Sequence, residues 1–195
     1  LGLLLPEYGR AHCRASYDFY HHYTADEHSL RMIRFLEELE NKPSSFKEFS
    51  ESYKQLNSKV LLKLSTFIQP IIEKKDSETT KEHSKILSLA TARLDLNTEE
   101  LQTIGFLASN AYLMIETALH DDIRQPRVIE NFAKKMGSIE KLDLLYLRSY
   151  AELRAVAPGT LTSWKKVLIS ELHQRSRGYF KYPESLHSRP LTTWV

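Results

Sequence analysis

The sequence predicts an all-α protein, a bundle of about seven to nine helices. Three observations carry this reading. Four segments open with a capping residue followed three positions later by Glu: Thr24–Glu27, Ser45–Glu48, Thr79–Glu82 and Asn97–Glu100. In that arrangement the cap oxygen takes an orphan backbone N–H and the Glu reaches back to the cap. Apolar residues then recur at helical spacing, while no run alternates apolar with polar residues and no Asn-Gly hairpin turn occurs.

Each element follows from this pattern. After Thr24 the apolar stripe is Met32, Phe35, Leu36 and Leu39. A polar stretch around 50–59 leads into a helix from Val60 to Ile72, which Pro70 kinks or ends. After Thr79 come Ile86, Leu87, Ala90 and Leu94, and after Asn97 come Leu101, Ile104, Ala108, Ala111 and Ile115. Pro126 opens a short helix through Val128, Ile129, Phe132 and Met136 that Gly137 is placed to end. Residues 139–156 are apolar on most sides and read as a central buried helix. Thr162 starts a last helix carrying Trp164, Val167, Leu168 and Leu172, and from Tyr179 onward Pro183 and Pro190 suggest a tail or linker. The expected organisation is a lead-in over 1–20, a helical domain over 21–178 and a tail over 179–195.

Composition narrows the class. Hydrophobic residues at 42% and charged residues at 27% suit a soluble globular chain, and a net charge of +2 without a dense basic run argues against nucleic acid as main partner. One cysteine, Cys13, excludes an internal disulfide and a Cys-based zinc finger and fits a reducing cytoplasm. No apolar stretch approaches the ~20 residues that span a bilayer. With no initiator Met, the chain is expected to be a piece of something longer.

Three stretches carry a family likeness: "LLPEYGRAHC" with "YHHYTADEHSL", then "ETALHDDIRQPRVIENFAKKMGS", then "LDLLYLRSYAELRAVAPGTLTSWKKVLISELHQRS". In order and spacing, over roughly residues 3–177, they resemble the central HD-type region of the bacterial PII uridylyltransferase/uridylyl-removing enzymes. The resemblance implies an HD-domain-like helical bundle, and neighbouring nucleotidyltransferase and ACT-type domains with PII as partner in nitrogen signalling. It also implies a hydrolytic centre in which His and Asp side chains hold a divalent metal that makes hydroxide from bound water.

This chain departs from the family pattern at most ligand positions. His28 stands at the first and His83 at a later histidine, but Ile68 and Gln69 stand where a His-Asp dipeptide is expected. Asn110 is retained while Ala111 replaces an imidazole, and Glu152 stands for the late Asp. The metal centre is therefore expected to be lost, with no cofactor. A second His-Asp, His120–Asp121, falls downstream of the ligands, where Asp122 caps the next helix or lies in the turn.

Taken alone, His28 and His83 share faces with apolar residues and read as hydrogen-bonded core histidines, with His21 and His22 in a turn or at the surface. Glu152 on an apolar helix needs a partner. Arg154 is two positions away and cannot face it, which leaves His28 or His83. Trp164 and the Tyr and Phe residues read as core. The expectation is a regulatory or structural module. The alternatives are a working phosphodiesterase using His83, Glu152 and His120 with Mn, Mg or Zn, and a stand-alone interaction protein.

Overall fold

The computed structural model describes residues 22–41, 46–72 and 94–182, with only the backbone given at 70–72. The Ser45–Glu48 cap at its Ser45, the Thr79 box, His21, His83, Cys13, the lead-in and the tail from 183 lie outside the described residues. Among those described, eight helices form an all-α bundle without strands: α1 (Ala25–Asn41), α2 (Lys47–Gln55), α3 (Lys59–Ile72), α4 (Thr98–Ser109), α5 (Leu113–His120), α6 (Pro126–Met136), α7 (Ile139–Val156) and α8 (Ser163–Lys181).

Local chemistry sets most of the ends. Asn97 completes the expected capping box: its side chain accepts from the N–H of Glu99 and of Glu100, and Glu100 accepts from the Asn97 N–H at 2.8 Å. Ser138 and Thr162 cap α7 and α8 through N–H groups three residues on. Gly137 closes α6 in the left-handed region, with φ 74°, where a side chain would be strained. At α2 the helix starts at Lys47 with Phe46 as its N-cap and no side-chain cap bond.

Several boundaries differ from the sequence expectation. The apolar stripe after Asn97 belongs to two helices, because the chain breaks between Ser109 and Leu113. At the break the Asn110 side chain donates to the Phe106 carbonyl at 2.8 Å, alongside the Asn110 N–H itself. Ala111 therefore sits in a turn. The helix through Pro70 continues to Ile72, so Pro70 does not end it. The last helix continues past 178 to Lys181, and Tyr179 and Phe180 pack against the main core. Of the two places expected for Asp122 the structure has the turn: its carboxylate accepts from the Arg124 N–H, while Gln125 is the N-cap of α6.

Trp164 is not core. It is 60% exposed, as is Val167 at 57%. The inward stripe of α8 is Ile169, Leu172, His173 and Ser176, and Trp164 lies roughly 140° round the helix from Ile169.

The centre of the molecule is α7, which touches each of the other seven helices. That is why its sequence is apolar on most sides: Leu144, Leu145, Leu147, Tyr150 and Ala151 are all fully covered. A ring stack of Phe49 from α2 on Tyr146, 4.7 Å between centroids, ties α2 to this axis. A second, smaller cluster joins α3 to α4 through Ile68 and Ile104.

Candidate functional site

Two of the sequence-derived positions meet. His28 on α1 and Glu152 on α7 are both buried, 7% and 1% exposed, and the His28 Nε2–H donates to Glu152 Oε1 at 2.9 Å. Thr24 starts α1 with its carbonyl accepting from the His28 N–H, and Met32, Leu36 and Leu39 continue the face that turns His28 inward. The clasp expected for Glu152 is therefore present, and Arg154 is turned elsewhere. Arg154 bonds to Glu38 at 3.2 Å and to the Tyr150 hydroxyl at 2.9 Å, with its guanidinium over the Phe35 ring.

The other described positions contribute differently. Ile68 is buried in the α3–α4 cluster, and Ala111 is buried at the α4–α5 break. Gln69 is buried too, and its carbonyl oxygen accepts a hydrogen bond from Arg148 Nη2 on α7. The Gln69 amide reaches the Tyr112 hydroxyl at 3.4 Å. His120 and Asp121 are exposed at the end of α5, away from any such cluster. Among the described residues no group of three or more His, Cys, Asp or Glu side chains is placed to hold a metal ion.

Arg148 is the residue that sequence reasoning missed. It is fully buried and the bulkiest side chain so covered. The signal was available: a guanidinium in the middle of a helix apolar on most sides, four positions before a carboxylate. On a helix that spacing puts Arg148 and Glu152 on one face, a turn apart.

A second buried polar group was also missed. His173 on α8 donates from Nε2 to Asp143 Oδ1 at 2.6 Å, and its ring lies flat on Tyr146, 4.0 Å between centroids at 9°. The Tyr146 hydroxyl meets Ser170 Oγ at 2.8 Å, and burial pushes the Tyr146 pKa up despite that bond. Arg177 stands 3.7 Å from the other Asp143 oxygen. The Ser170 hydroxyl is engaged by Tyr146 rather than by His173, so this set is a crosslink of α7 to α8 and not a nucleophile–base pair.

Fold and site together define an all-α helical module, with polar side chains from separate helices gathered onto one central buried helix. The proteins it resembles are bifunctional uridylyltransferase/uridylyl-removing enzymes. It is 33% identical over 194 residues to the enzyme of that name from Erythrobacter litoralis, covering 94% of this chain and 21% of the relative. To that from Zymomonas mobilis it is 32% identical over 176 residues, covering 89% of this chain and 19% of the relative. To that from Novosphingobium aromaticivorans it is 28% identical over 190 residues, covering 96% and 21%. The family likeness carried by the three sequence stretches is thus confirmed along about nine-tenths of the chain. The chain spans about a fifth of the length of these curated relatives. No family model and no solved structure matches it. No helix among the described residues is long and apolar enough to cross a membrane.

Proposed function

We propose that this chain is a regulatory or structural helical module, related to the uridylyl-removing region of its relatives but without metal-dependent hydrolysis. One observation carries the reading: at the positions where the resemblance places metal ligands, Ile68 and Ala111 are buried side chains with no donor atom. The adjoining Gln69 is engaged by a guanidinium. A first-row divalent ion needs several charged or imidazole donors converging on one point. What remains is the His28–Glu152 pair, with His83 as a further histidine. A guanidinium in the same region opposes a second cation. At an effective dielectric of ~20, a divalent ion within ~5 Å of it would be repelled by roughly 7 kcal/mol.

On this reading the module holds or regulates neighbouring domains, of the nucleotidyltransferase and ACT type, and its signalling partner is a PII-type protein. The test is direct. The untagged chain, purified without chelator and then dialysed with Mn²⁺, is expected to hold well under one metal ion per chain and to release no UMP from uridylylated PII. Close to one Mn, Fe or Zn per chain, lost on His28→Ala and His83→Ala and accompanied by UMP release, would overturn the proposal in favour of the phosphodiesterase.

A further inference from the structure

We propose that the cleft bordered by α1, the start of α2 and the turn after α7 binds a small organic anion, a carboxylate or phosphate carried on a flat ring. Neither His28 nor Glu152 lines this cleft, so the site is separate from that pair.

The sequence builds the rim. Ala157, Pro158, Gly159 and Thr160 follow α7 directly, and the Thr160 N–H donates back to the Ala157 carbonyl at 3.2 Å. Proline at the second position of this turn has its φ fixed by its ring, and Gly159 at the third takes φ 81°, a left-handed value that favours glycine. A turn so fixed has little freedom to lose when something binds against it. With the rings of Tyr23, Phe35 and Phe46 it borders a space of ≈ 330 Å³, at the small end of the range for small-molecule sites.

Two guanidiniums stand on those rings. Arg31 lies 3.7 Å over the Tyr23 ring, and Arg154 lies 4.0 Å over Phe35 and 4.8 Å over Phe46. Stacking holds each plane in place while its edge can still donate. Part of that edge is used within the protein: Arg31 Nε bonds to Glu27, and Arg154 Nη1 bonds to Glu38 and to the Tyr150 hydroxyl. Nη1 and Nη2 of Arg31, and Nε and Nη2 of Arg154, make no hydrogen bond among the described residues. Arg34 also pairs with Glu38, so three guanidiniums share two carboxylates and the cleft keeps a positive excess. An inorganic ion would satisfy those donors and leave the apolar lining uncovered. A neutral ring would do the reverse. A carboxylate or phosphate on a flat ring meets both, with its charge on the guanidinium edges and its ring on the aromatic and aliphatic lining.

The test is isothermal titration calorimetry of the chain at low salt with phenyl phosphate, benzoate, inorganic phosphate and phenol. Phenyl phosphate, benzoate or both are expected to give a saturable one-site isotherm with Kd below about 1 mM. Whichever of the two binds more tightly identifies the anion as phosphate or carboxylate. Inorganic phosphate and phenol are expected to bind at least about tenfold more weakly, because each meets only half of the site. R31M and R154M should each weaken the binding by about tenfold or more. R127M, which removes the same charge from the exposed surface of α6, should leave it within about twofold. Arg154 also ties α7 to α1, so helical circular dichroism checks each variant, and where R154M loses its fold R31M decides. The proposal is overturned if neither ring anion gives saturable heat up to about 10 mM. Inorganic phosphate or phenol binding as tightly as the better ring anion overturns it too. So does binding that R31M or a folded R154M leaves unchanged, or that R127M weakens as much.

Discussion

Replacing Glu152 by Gln is the sharpest single probe of the centre. The change keeps shape and an acceptor oxygen, so packing against the fully covered residues of α7 is preserved, and only the charge and one acceptor oxygen go. The His28 N–H donates to Glu152 at 2.9 Å with both side chains buried, which makes this a charge-assisted bond shielded from water. Such bonds are worth about 1.5–3 kcal/mol against about 1 kcal/mol for a neutral one. The expected cost is therefore about 1–3 kcal/mol. At a typical urea sensitivity of ~2 kcal/mol per molar, the unfolding midpoint should fall by roughly 0.5–1.5 M. In heat the same loss is roughly 2–12 °C for a chain of this size. Unfolding should be run in EDTA, so that no bound metal contributes to either protein. A surface carboxylate would show almost no effect. Equal midpoints for wild type and Glu152→Gln in EDTA would refute the clasp and leave Glu152 without an energetic role.

Two further outcomes follow from the packing. Burial raises the pKa values of Tyr53, Tyr146 and Tyr150 above the ordinary tyrosine value of 10.0. Below that value neither state ionises. Above it the unfolded chain gives up protons that the folded chain keeps, so stability falls as pH rises, by up to ~1.4 kcal/mol per unit for each tyrosine. Tyr146→Phe should cost about 1 kcal/mol near neutrality, through its lost bond to Ser170, and make the decline above pH ~10 shallower. Denaturant unfolding across that range with an unchanged slope would contradict the assignment. Trp164→Ala should cost less than about 1 kcal/mol, because the side chain is 60% exposed. A loss of the 3–5 kcal/mol typical of a core aromatic would show it to be buried after all.

What the sequence made legible was whatever depends on neighbours along the chain. The box at Asn97, the helix start at Thr162, the stop at Gly137 and the buried character of 139–156 are local signals, and the structure has all of them. The pairing of His28 with Glu152 was legible because elimination worked: Arg154 points off the face, and a buried carboxylate needs a donor. The rest depended on what stands across the interface. Apolar spacing continued through Ala111 and could not reveal that Asn110 would bond back to Phe106 and end α4. Trp164 lies in step with Leu168 and Leu172, yet the partner surface of α8 is the stripe through Ile169 and His173. Arg148 was passed over because a charged residue in a buried helix looks like an exception until its acceptor, Gln69 on another helix, is in view.

The same energetics bear on what the buried His28–Glu152 pair says about chemistry. Replacing only His28 or only Glu152 by an apolar residue breaks a buried hydrogen-bonded pair, which typically costs about 3–5 kcal/mol. Replacing both by well-packed apolar side chains would be close to neutral or favourable, as for other buried ion pairs. Every single-step route out of the arrangement therefore passes through a less stable protein, whereas the concerted route needs several changes together. His28 and Glu152 can then be held in place by the stability of the bundle alone. Their presence is thus weak evidence for hydrolysis. The informative positions are Ile68 and Ala111, whose buried side chains carry no donor atom.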